Sequence, residues 1–269
     1  MADASEEGRD CEDLHLALLT IARRVPNVWP TVLDSEREEF SSICVAGLDF
    51  ELSNLTQRPA ITLRLRDQAT WRAVRPYLME MLVKKRGRCI FPSLSVIIKG
   101  LKADAMYTFF LDLMPKDQNV YRYRSGCWMS IQLTKPYPPP NQASLIHVSR
   151  IARRLGSDLM NFGVNFSLAK ITADANAPIS RNEIFVHGGQ VYLPRYHILR
   201  HLPAEEAAVR QESEIGCRNG LPERLQHVGT YVIPETAFVA VTNYCTAADQ
   251  AAKLCTSIQQ ERAAFITRS

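Results

Sequence analysis

The sequence lacks several signatures that would assign it to a common functional class. None of its seven cysteines forms a C-x-x-C pair, which excludes a zinc ribbon and a thioredoxin-type redox site. No apolar run reaches the roughly 18 residues that a membrane-spanning helix needs. Residues 1–13 are acidic rather than basic and then apolar, so no signal peptide is predicted.

Signatures of catalysis are also missing. There is no G-x-S-x-G, no cysteine lies beside a histidine, and no glycine-rich loop is present to hold a phosphate. His187, His197 and His201 are close in sequence, but that segment is typical of a strand, without the helical spacing of a zinc site. We therefore expect neither an enzyme nor a bound metal or cofactor.

The chain also lacks a large excess of either positive or negative charge. The 269 residues carry 32 Lys and Arg against 28 Asp and Glu, a net charge of +4, so charge over the whole chain does not indicate nucleic acid. Any basic site has to be local. The odd number of scattered cysteines is typical of reduced thiols in a cytosolic or nuclear protein.

The N-terminal part of the chain differs from the rest. Apolar residues between positions 13 and 25 recur at helical spacing, and Pro26 ends the pattern. This amphipathic helix could pack on the domain, bind a partner or do neither, and packing is the preferred interpretation. Residues 26–60 are interpreted as a connector with one or two short elements, so that residues 1–60 form an N-terminal extension.

Short apolar runs separated by turn residues begin at Ile61 and predict a β-sandwich or barrel. Strands are predicted at residues 61–65, 93–98, 105–113, 121–128 (a hairpin around Ser125 and Gly126), 165–172, 184–186, 192–200 and 230–241. Helices are predicted at residues 69–83, 204–214 and 246–265.

The most basic short window is the sequence K-K-R-G-R at residues 84–88, which we call the basic loop. It is either a solvated loop or nuclear-import signal, or a nucleic-acid contact with phosphate-binding lysines and a base-reading arginine. A second cluster, Arg150, Arg153 and Arg154, is interpreted first as the polar face of a short helix. Arg195 and Arg200 lie on opposite faces of a predicted strand, and one is expected to be buried beside a carboxylate.

Motifs in a fixed order resemble the DNA-binding domain of T-box transcription factors over residues 61–255. The matching positions are Leu65, Asp67 and Trp71; residues 80–83, Lys85, Gly87, Arg88, Phe91 and Pro92; residues 100–101, 105–107 and 111–112; Tyr123, Gly126 and Trp128; residues 166–167 and 170–172; Tyr192, Pro194, Arg195, His197, Ile198 and Arg200; and Val232, residues 234–236, Phe238, residues 240–242 and Tyr244.

The resemblance implies a mainly β, immunoglobulin-like sandwich or barrel with a few short helices and a C-terminal helix. Family members read a GTG-containing half-site of duplex DNA from both grooves. In the position-by-position comparison, Arg88 reads guanine in the major groove. The other implied DNA contacts are Lys84, Lys85 and Arg86 on the backbone, Thr242, Asn243 and Lys253 near phosphates, and Phe265 near the minor groove.

The implied DNA-binding domain covers residues 61–260, with a tail at 261–269. The resemblance implies a nuclear regulator of transcription that binds as a monomer or weak dimer, without a cofactor or membrane contact. Co-regulator proteins are the other expected partners. Little sequence follows the domain to serve as an activation or repression tail. Many matching residues are expected to be structural: Trp71, Tyr107, Trp128, Phe166, Tyr192, Phe238 and Tyr244 in the core, and Arg195 paired with Glu235.

Three departures from the family pattern keep alternatives open. Cys89 stands where the family has a second arginine. Residues 257–265 lack the family's proline and one phenylalanine, which leaves Phe265 and Ile258 as candidate wedges. The rewritten loop at 147–161 gains Arg150, Arg153 and Arg154, which would replace lost charge if they face DNA.

The first alternative is a T-box-fold interaction module that has lost sequence-specific DNA reading and binds protein through residues 13–25 or 246–265. The second is another immunoglobulin-like transcription factor that reads DNA with loops of a different order.

Overall fold

The structure is a computed structural model. It describes residues 14, 18–25, 27, 29, 38–46, 61–74, 80–133, 146–149, 153–178, 181–213 and 224–245.

Fifteen strands and four short helices make up this part of the chain. The strands are β1 (Ile43–Ala46), β2 (Thr62–Leu65), β3 (Glu80–Leu82), β4 (Arg88–Cys89), β5 (Val96–Lys99), β6 (Met106–Pro115), β7 (Val120–Arg124), β8 (Cys127–Ile131), β9 (Ile146–Val148), β10 (Arg154–Leu155), β11 (Lys170–Thr172), β12 (Glu183–Phe185), β13 (Val191–His201), β14 (Leu225–Val232) and β15 (Phe238–Val241). The helices are α1 (residues 18–24), α2 (Gln68–Val74), α3 (Gly156–Phe162) and α4 (Ala204–Ser213).

The large sheet is organised around β13, its longest strand. One edge of β13 pairs antiparallel with β6, and the other pairs with β14 and, at its beginning, with β15. The sheet continues from β14 to β1 and from β15 to β3, while β9 and β10 pair with the far edge of β6. The β3–β15 pair is parallel and all the other pairs in this sheet are antiparallel.

The main core lies between this sheet and smaller ones. Tyr196 and Ile198 of β13 alternate inward and join a cluster that includes apolar residues of β2, β5, β11 and β12. Strands β12, β11 and β4 form one small sheet, β2 and β5 form another, and β7 and β8 form a hairpin. This mainly β architecture confirms the fold class predicted from the sequence.

The opposite face of the large sheet is covered by α1. Leu18, Ile21 and Val25 are buried against Phe110 of β6 and Leu199 of β13. The helix therefore packs on the domain, as preferred among the three interpretations. Strand β1, within the predicted connector, pairs with β14. Whether residue 61 is the domain boundary stays a prediction.

A buried ion pair links α1 to the sheet. Arg195 of β13 donates from Nε to Oδ1 of Asp112 at 2.8 Å, and its Nη1 and Nη2 donate to the backbone oxygens of Val25 and Ala22 at 3.1 and 2.9 Å. The prediction of a buried, carboxylate-paired arginine is therefore correct, but its assignment to Glu235 is wrong. Asp112 is the partner because β6 and β13 place the two residues directly opposite each other.

His197 completes this buried cluster. Its Nε2 lies 3.0 Å from Oδ1 of Asp112, and its ring stacks on Phe110. Burial alone would raise the pKa of Asp112, but the charges of Arg195 and His197 outweigh it and hold the pKa at about 2. Asp112 is therefore ionised at neutral pH, as its arginine partner requires.

Most predicted strands are present, with shifted bounds. The structure confirms the strands at β2, β6, β12 and β13, the helix at α4, and the β7–β8 hairpin. Ser125 and Gly126 both have positive φ, 51° and 84°, as a type I′ hairpin turn requires. The predicted strands at 93–98 and 165–172 are regular only at β5 and β11, and the stretch at 230–241 is divided by a 3₁₀ turn at Pro234–Thr236.

The helix predictions fare unevenly. The helix predicted at 69–83 is confirmed at α2 and wrong at residues 80–82, which pair with β15 as strand β3; residues 75–79 lie outside the described residues. Arg154 lies on a strand, β10, rather than on the polar face of a helix. The helix predicted at 246–265 lies outside the described residues.

We expect Asp112→Asn to lower the free energy of unfolding by about 3–5 kcal/mol, because it leaves the buried Arg195 guanidinium without its counter-charge. Urea denaturation followed by circular dichroism measures the change. Glu205→Gln, at an exposed position on α4, is the control and should change stability little. A loss no larger than that of the control would contradict the role of the pair.

Stability should also depend on pH through His201, whose Nε2 lies 2.7 Å from Thr108 Oγ1. Burial, and secondarily the charge of Arg153, lower the pKa of His201 from 6.5 to about 4. The unfolded chain therefore binds more protons in this range, so the free energy of unfolding should rise from about pH 4 to about pH 6.5. We expect His201→Gln to flatten this rise in urea titrations, and an unchanged slope would refute the assignment.

Candidate nucleic-acid interface

Two predicted DNA-contact segments leave the large sheet side by side. Strands β3 and β15 are parallel, with Leu82 opposite Val241, and the backbone N–H of Val83 donates to the Val241 oxygen at 2.9 Å. Residues 84–86 and 242–243 therefore emerge at the same edge, although they are far apart in sequence. Lys84, Lys85, Arg86, Thr242 and Asn243 are all exposed there.

The small three-stranded sheet ends at this edge too. Strands β11 and β12 are parallel, and β4 runs antiparallel to β11 with Arg88 opposite Ile171. The beginning of β4 therefore meets the ends of β11 and β12. Gly188, in the loop after β12, lies so close to Thr242 that a Cβ there would stand 3.5 Å from Thr242 Cγ2. One edge thus collects the ends of four strands and the basic loop.

Backbone hydrogen bonds fix the shape of the basic loop. The Thr172 hydroxyl donates to the Lys85 oxygen at 3.1 Å, and the Ala173 N–H donates to the Lys84 oxygen at 3.3 Å. The Gly87 N–H also donates to the Lys84 oxygen, at 3.1 Å, and closes the turn. The cationic side chains therefore extend from a backbone that is already held in place, which lowers the ordering cost of binding.

Gly87 is required by both its conformation and its surroundings. Its φ is +67°, in the left-handed region, and a Cβ on Gly87 would overlap the carboxylate of Glu183. Glu183 is buried, and in the described part of the chain its Oε2 has no hydrogen-bond partner. A buried carboxyl group thus lies directly behind the basic loop.

Arg88 and Cys89 form the short strand β4 and are both half-buried. Cys89 carries a free thiol where the resemblance places a second arginine. Directly across from it on β11 is Lys170, and residues paired across antiparallel strands share a face. Lys170 therefore keeps a cation beside the position where the arginine is missing.

The two described residues of the second arginine cluster, Arg153 and Arg154, do not join this edge. Arg154 pairs with Tyr107 on β6, and Tyr107 pairs with Arg200 near the end of β13, whereas residues 242–243 lie near its beginning. The 11 residues of β13 span about 33 Å at 3.3 Å per residue. Arg153 and Arg154 therefore lie at the other end of the sheet, which argues against their replacing lost charge at the basic loop.

Sequence reasoning assigned no role at the site to Thr172, Lys170 or Glu183. Thr172 and Lys170 stand within a matched motif, but their contacts with the basic loop depend on pairing between β4 and β11. No motif or charge cluster in the sequence singled out Glu183. Lys253 and Phe265, and Arg150 of the second cluster, lie outside the described residues.

Neither a metal site nor a membrane segment is seen in the parts of the chain that the structure describes. No group of three or more His, Cys, Asp or Glu residues there could hold a metal ion. No helix there is both long and apolar enough to cross a membrane.

Comparison with known proteins identifies the family. The family model described as T-box matches residues 63–257. The chain belongs to the T-box family. It is 30% identical over 184 residues to T-box transcription factor T of Halocynthia roretzi, and 32% identical over 184 residues to the T-box transcription factor T homolog of Hemicentrotus pulcherrimus. It is also 32% identical over 180 residues to T-box transcription factor TBX19 of Gallus gallus.

These T-box alignments cover 68%, 68% and 67% of this chain but only 34%, 37% and 38% of the respective relatives. The chain thus spans little more than a third of the length of the curated T-box proteins it matches. T-box proteins are a family of transcription factors rather than of enzymes, which agrees with the expectation from the sequence.

The packing of Gly87 against Glu183 can be tested by comparing two glycines. Gly126 also has positive φ, +84°, but nothing lies within 4 Å of a Cβ placed on it. Gly126→Ala should therefore cost only the left-handed backbone strain, about 1–2 kcal/mol. We expect Gly87→Ala to cost measurably more, in thermal and urea denaturation, because it also displaces the Glu183 carboxylate. Equal losses in the free energy of unfolding for the two variants would show that the overlap with Glu183 adds no destabilisation.

Proposed function

We propose that this chain is a nuclear, sequence-specific regulator of transcription that binds duplex DNA at a GTG-containing half-site. The observation that carries the proposal is the juxtaposition of the basic loop with residues 242–243 at the ends of the parallel strands β3 and β15. Membership of the T-box family supports the same conclusion.

Arg88 is the proposed reader of sequence. A guanidinium presents a planar fork of donors that matches O6 and N7 of guanine in the major groove. Arg88 begins β4, so its backbone is fixed by pairing with β11 rather than free to move with the loop. Lys84, Lys85 and Arg86, exposed on the preceding turn, supply sequence-independent contacts to phosphates.

The second contact comes from the chain after β15. Thr242 and Asn243 are exposed beside the basic loop, and their side chains can donate hydrogen bonds to phosphate oxygens. By resemblance to the family, Lys253 continues the backbone contact and Phe265 brings an apolar edge to the minor groove. We propose residues 61–260 as the DNA-binding domain and residues 1–60 as an extension whose helix α1 is docked on it.

The alternative, a T-box fold that only binds protein, is motivated by Cys89 and the altered segment 257–265. The position of α1 weakens it, because the apolar face of that helix is occupied by the sheet. Co-regulator proteins remain proposed partners, and we propose that the chain binds DNA as a monomer or weak dimer without a cofactor.

The decisive test is a binding titration of the full chain with a GTG half-site duplex and a scrambled duplex at several salt concentrations. We expect the half-site to be preferred by about 10³-fold or more. Arg88→Ala should cost about 1–3 kcal/mol and relax that preference, because it removes a bidentate base contact. Lys84→Ala should instead weaken both duplexes and lower the salt slope by about 1.

Arg153→Ala is the matched control, because Arg153 is an exposed arginine at the other end of β13, and it should leave both affinities unchanged. An equal loss on both duplexes for Arg88→Ala would contradict its role in reading sequence. Equally weak binding of both duplexes by the parent chain would favour the interaction module.

A further inference from the structure

A basic cleft lies at the opposite end of the large sheet from the proposed DNA contacts. It is formed where β6 begins, β10 approaches and β13 ends, and its volume is about 280 Å³. Three cationic side chains line it: Lys102, Arg153 and Arg200. No step of the proposed DNA recognition uses them.

The charges of the cleft do not cancel. Asp104 and Glu206 also line it, so three cations face two carboxylates. His201 adds no charge, since burial, and then the charge of Arg153, hold its pKa at about 4. One positive charge is therefore left at neutral pH, which matches a monoanion such as a carboxylate better than a phosphate dianion.

Arg200 provides a donor that the described part of the chain does not satisfy. Its Nη2 donates to Glu206 Oε1 at 2.9 Å, and its side chain is only 13% exposed. The Nε atom is buried and has no hydrogen-bond partner among the described residues. A guanidinium can only donate, so a ligand that binds Arg200 has to supply an acceptor, such as a carboxylate oxygen.

Apolar side chains stand beside these cations. Leu202 is buried and Met106 half-buried in the wall of the cleft. A ligand that fits this lining carries a negative head group next to an apolar stem or neighbour. Aspartate or glutamate beside an apolar residue in a peptide has this character, whereas a DNA backbone, with a charge at every nucleotide, would meet Asp104 and Glu206 unfavourably.

We propose that this cleft is a docking site for a partner protein, which inserts an acidic side chain flanked by apolar residues. The inserted carboxylate accepts hydrogen bonds from Arg200 and Arg153, and Lys102 adds a third positive charge. Because the cleft is about 33 Å from the beginning of β13, a partner can bind here while the basic loop is on DNA. The site does not depend on the proposed DNA function.

The test is a nuclear magnetic resonance titration of the ¹⁵N-labelled full chain with the tripeptide acetyl-Leu-Glu-Leu-amide. We expect saturable shifts of the Arg200 Nε–H and of amides at residues 102–106 and 200–202, with a dissociation constant on the order of millimolar. The glutamine tripeptide, which has the same shape but no charge, should shift none of them.

Two exposed cations allow the site to be weakened without disturbing the core. Arg153→Ala and Lys102→Ala should each weaken binding of the glutamate tripeptide by roughly fivefold, as expected for an exposed charge pair. Both should leave DNA binding unchanged, and Arg88→Ala should leave tripeptide binding unchanged. This crossed comparison separates failure of the cleft from failure of the DNA site.

Three results would overturn the proposal. The first is that the glutamine tripeptide binds as tightly as the glutamate tripeptide, or that both cleft variants bind the glutamate tripeptide as tightly as the unsubstituted chain does. The second is that inorganic phosphate binds more tightly than the glutamate tripeptide. The third concerns the acidic residues at 1–13 of the same chain. If Glu6→Gln, Glu7→Gln and Asp10→Asn together raise affinity for the tripeptide several-fold, the occupant is this segment in cis and not a partner protein.

Discussion

The buried pair between Arg195 and Asp112 ties together the parts of this domain that sequence leaves apart. It joins the two longest strands at one point of their register and binds the carbonyl oxygens at the end of α1. Desolvating two charges is costly, and only a full set of hydrogen bonds offsets that cost. The pair therefore tolerates one arrangement of β6, β13 and α1, and this arrangement fixes how the N-terminal helix covers the sheet.

Much of the architecture could be predicted from local patterns. The alternation of residues in β13 that buries Tyr196 and Ile198 can be recognised in the sequence. Ser125 and Gly126 likewise indicate the two-residue turn of the β7–β8 hairpin. Strand β3 could not be recognised from the sequence, because its three residues continue the pattern of the helix predicted at 69–83. They form a strand only through pairing with β15. The partner of Arg195 was missed for the same reason, since Asp112 becomes its neighbour only once the register of β6 and β13 is set.

Sequence supports a proposal for the chemistry of the candidate site but not for its geometry. The composition of the basic loop left open a solvated loop, a nuclear-import signal or a phosphate contact, and only the resemblance to the family selected Arg88. Neither could show that Thr172 holds the backbone of the loop or that Glu183 lies behind Gly87, because those contacts arise across β4, β11 and β12. Nor could they show that the basic loop lies at the opposite end of β13 from Arg153 and Arg154.

The parallel pairing of β3 and β15 makes the proposed DNA-binding surface a late product of folding. Residues 83–237 separate the two strands, so a ribosome has to release nearly the whole domain before the basic loop acquires its neighbour. A nascent or partly folded chain carries the same lysines and arginines but not their arrangement. Under the proposed function, a duplex that binds only the completely folded chain shifts the folding equilibrium toward that form by mass action.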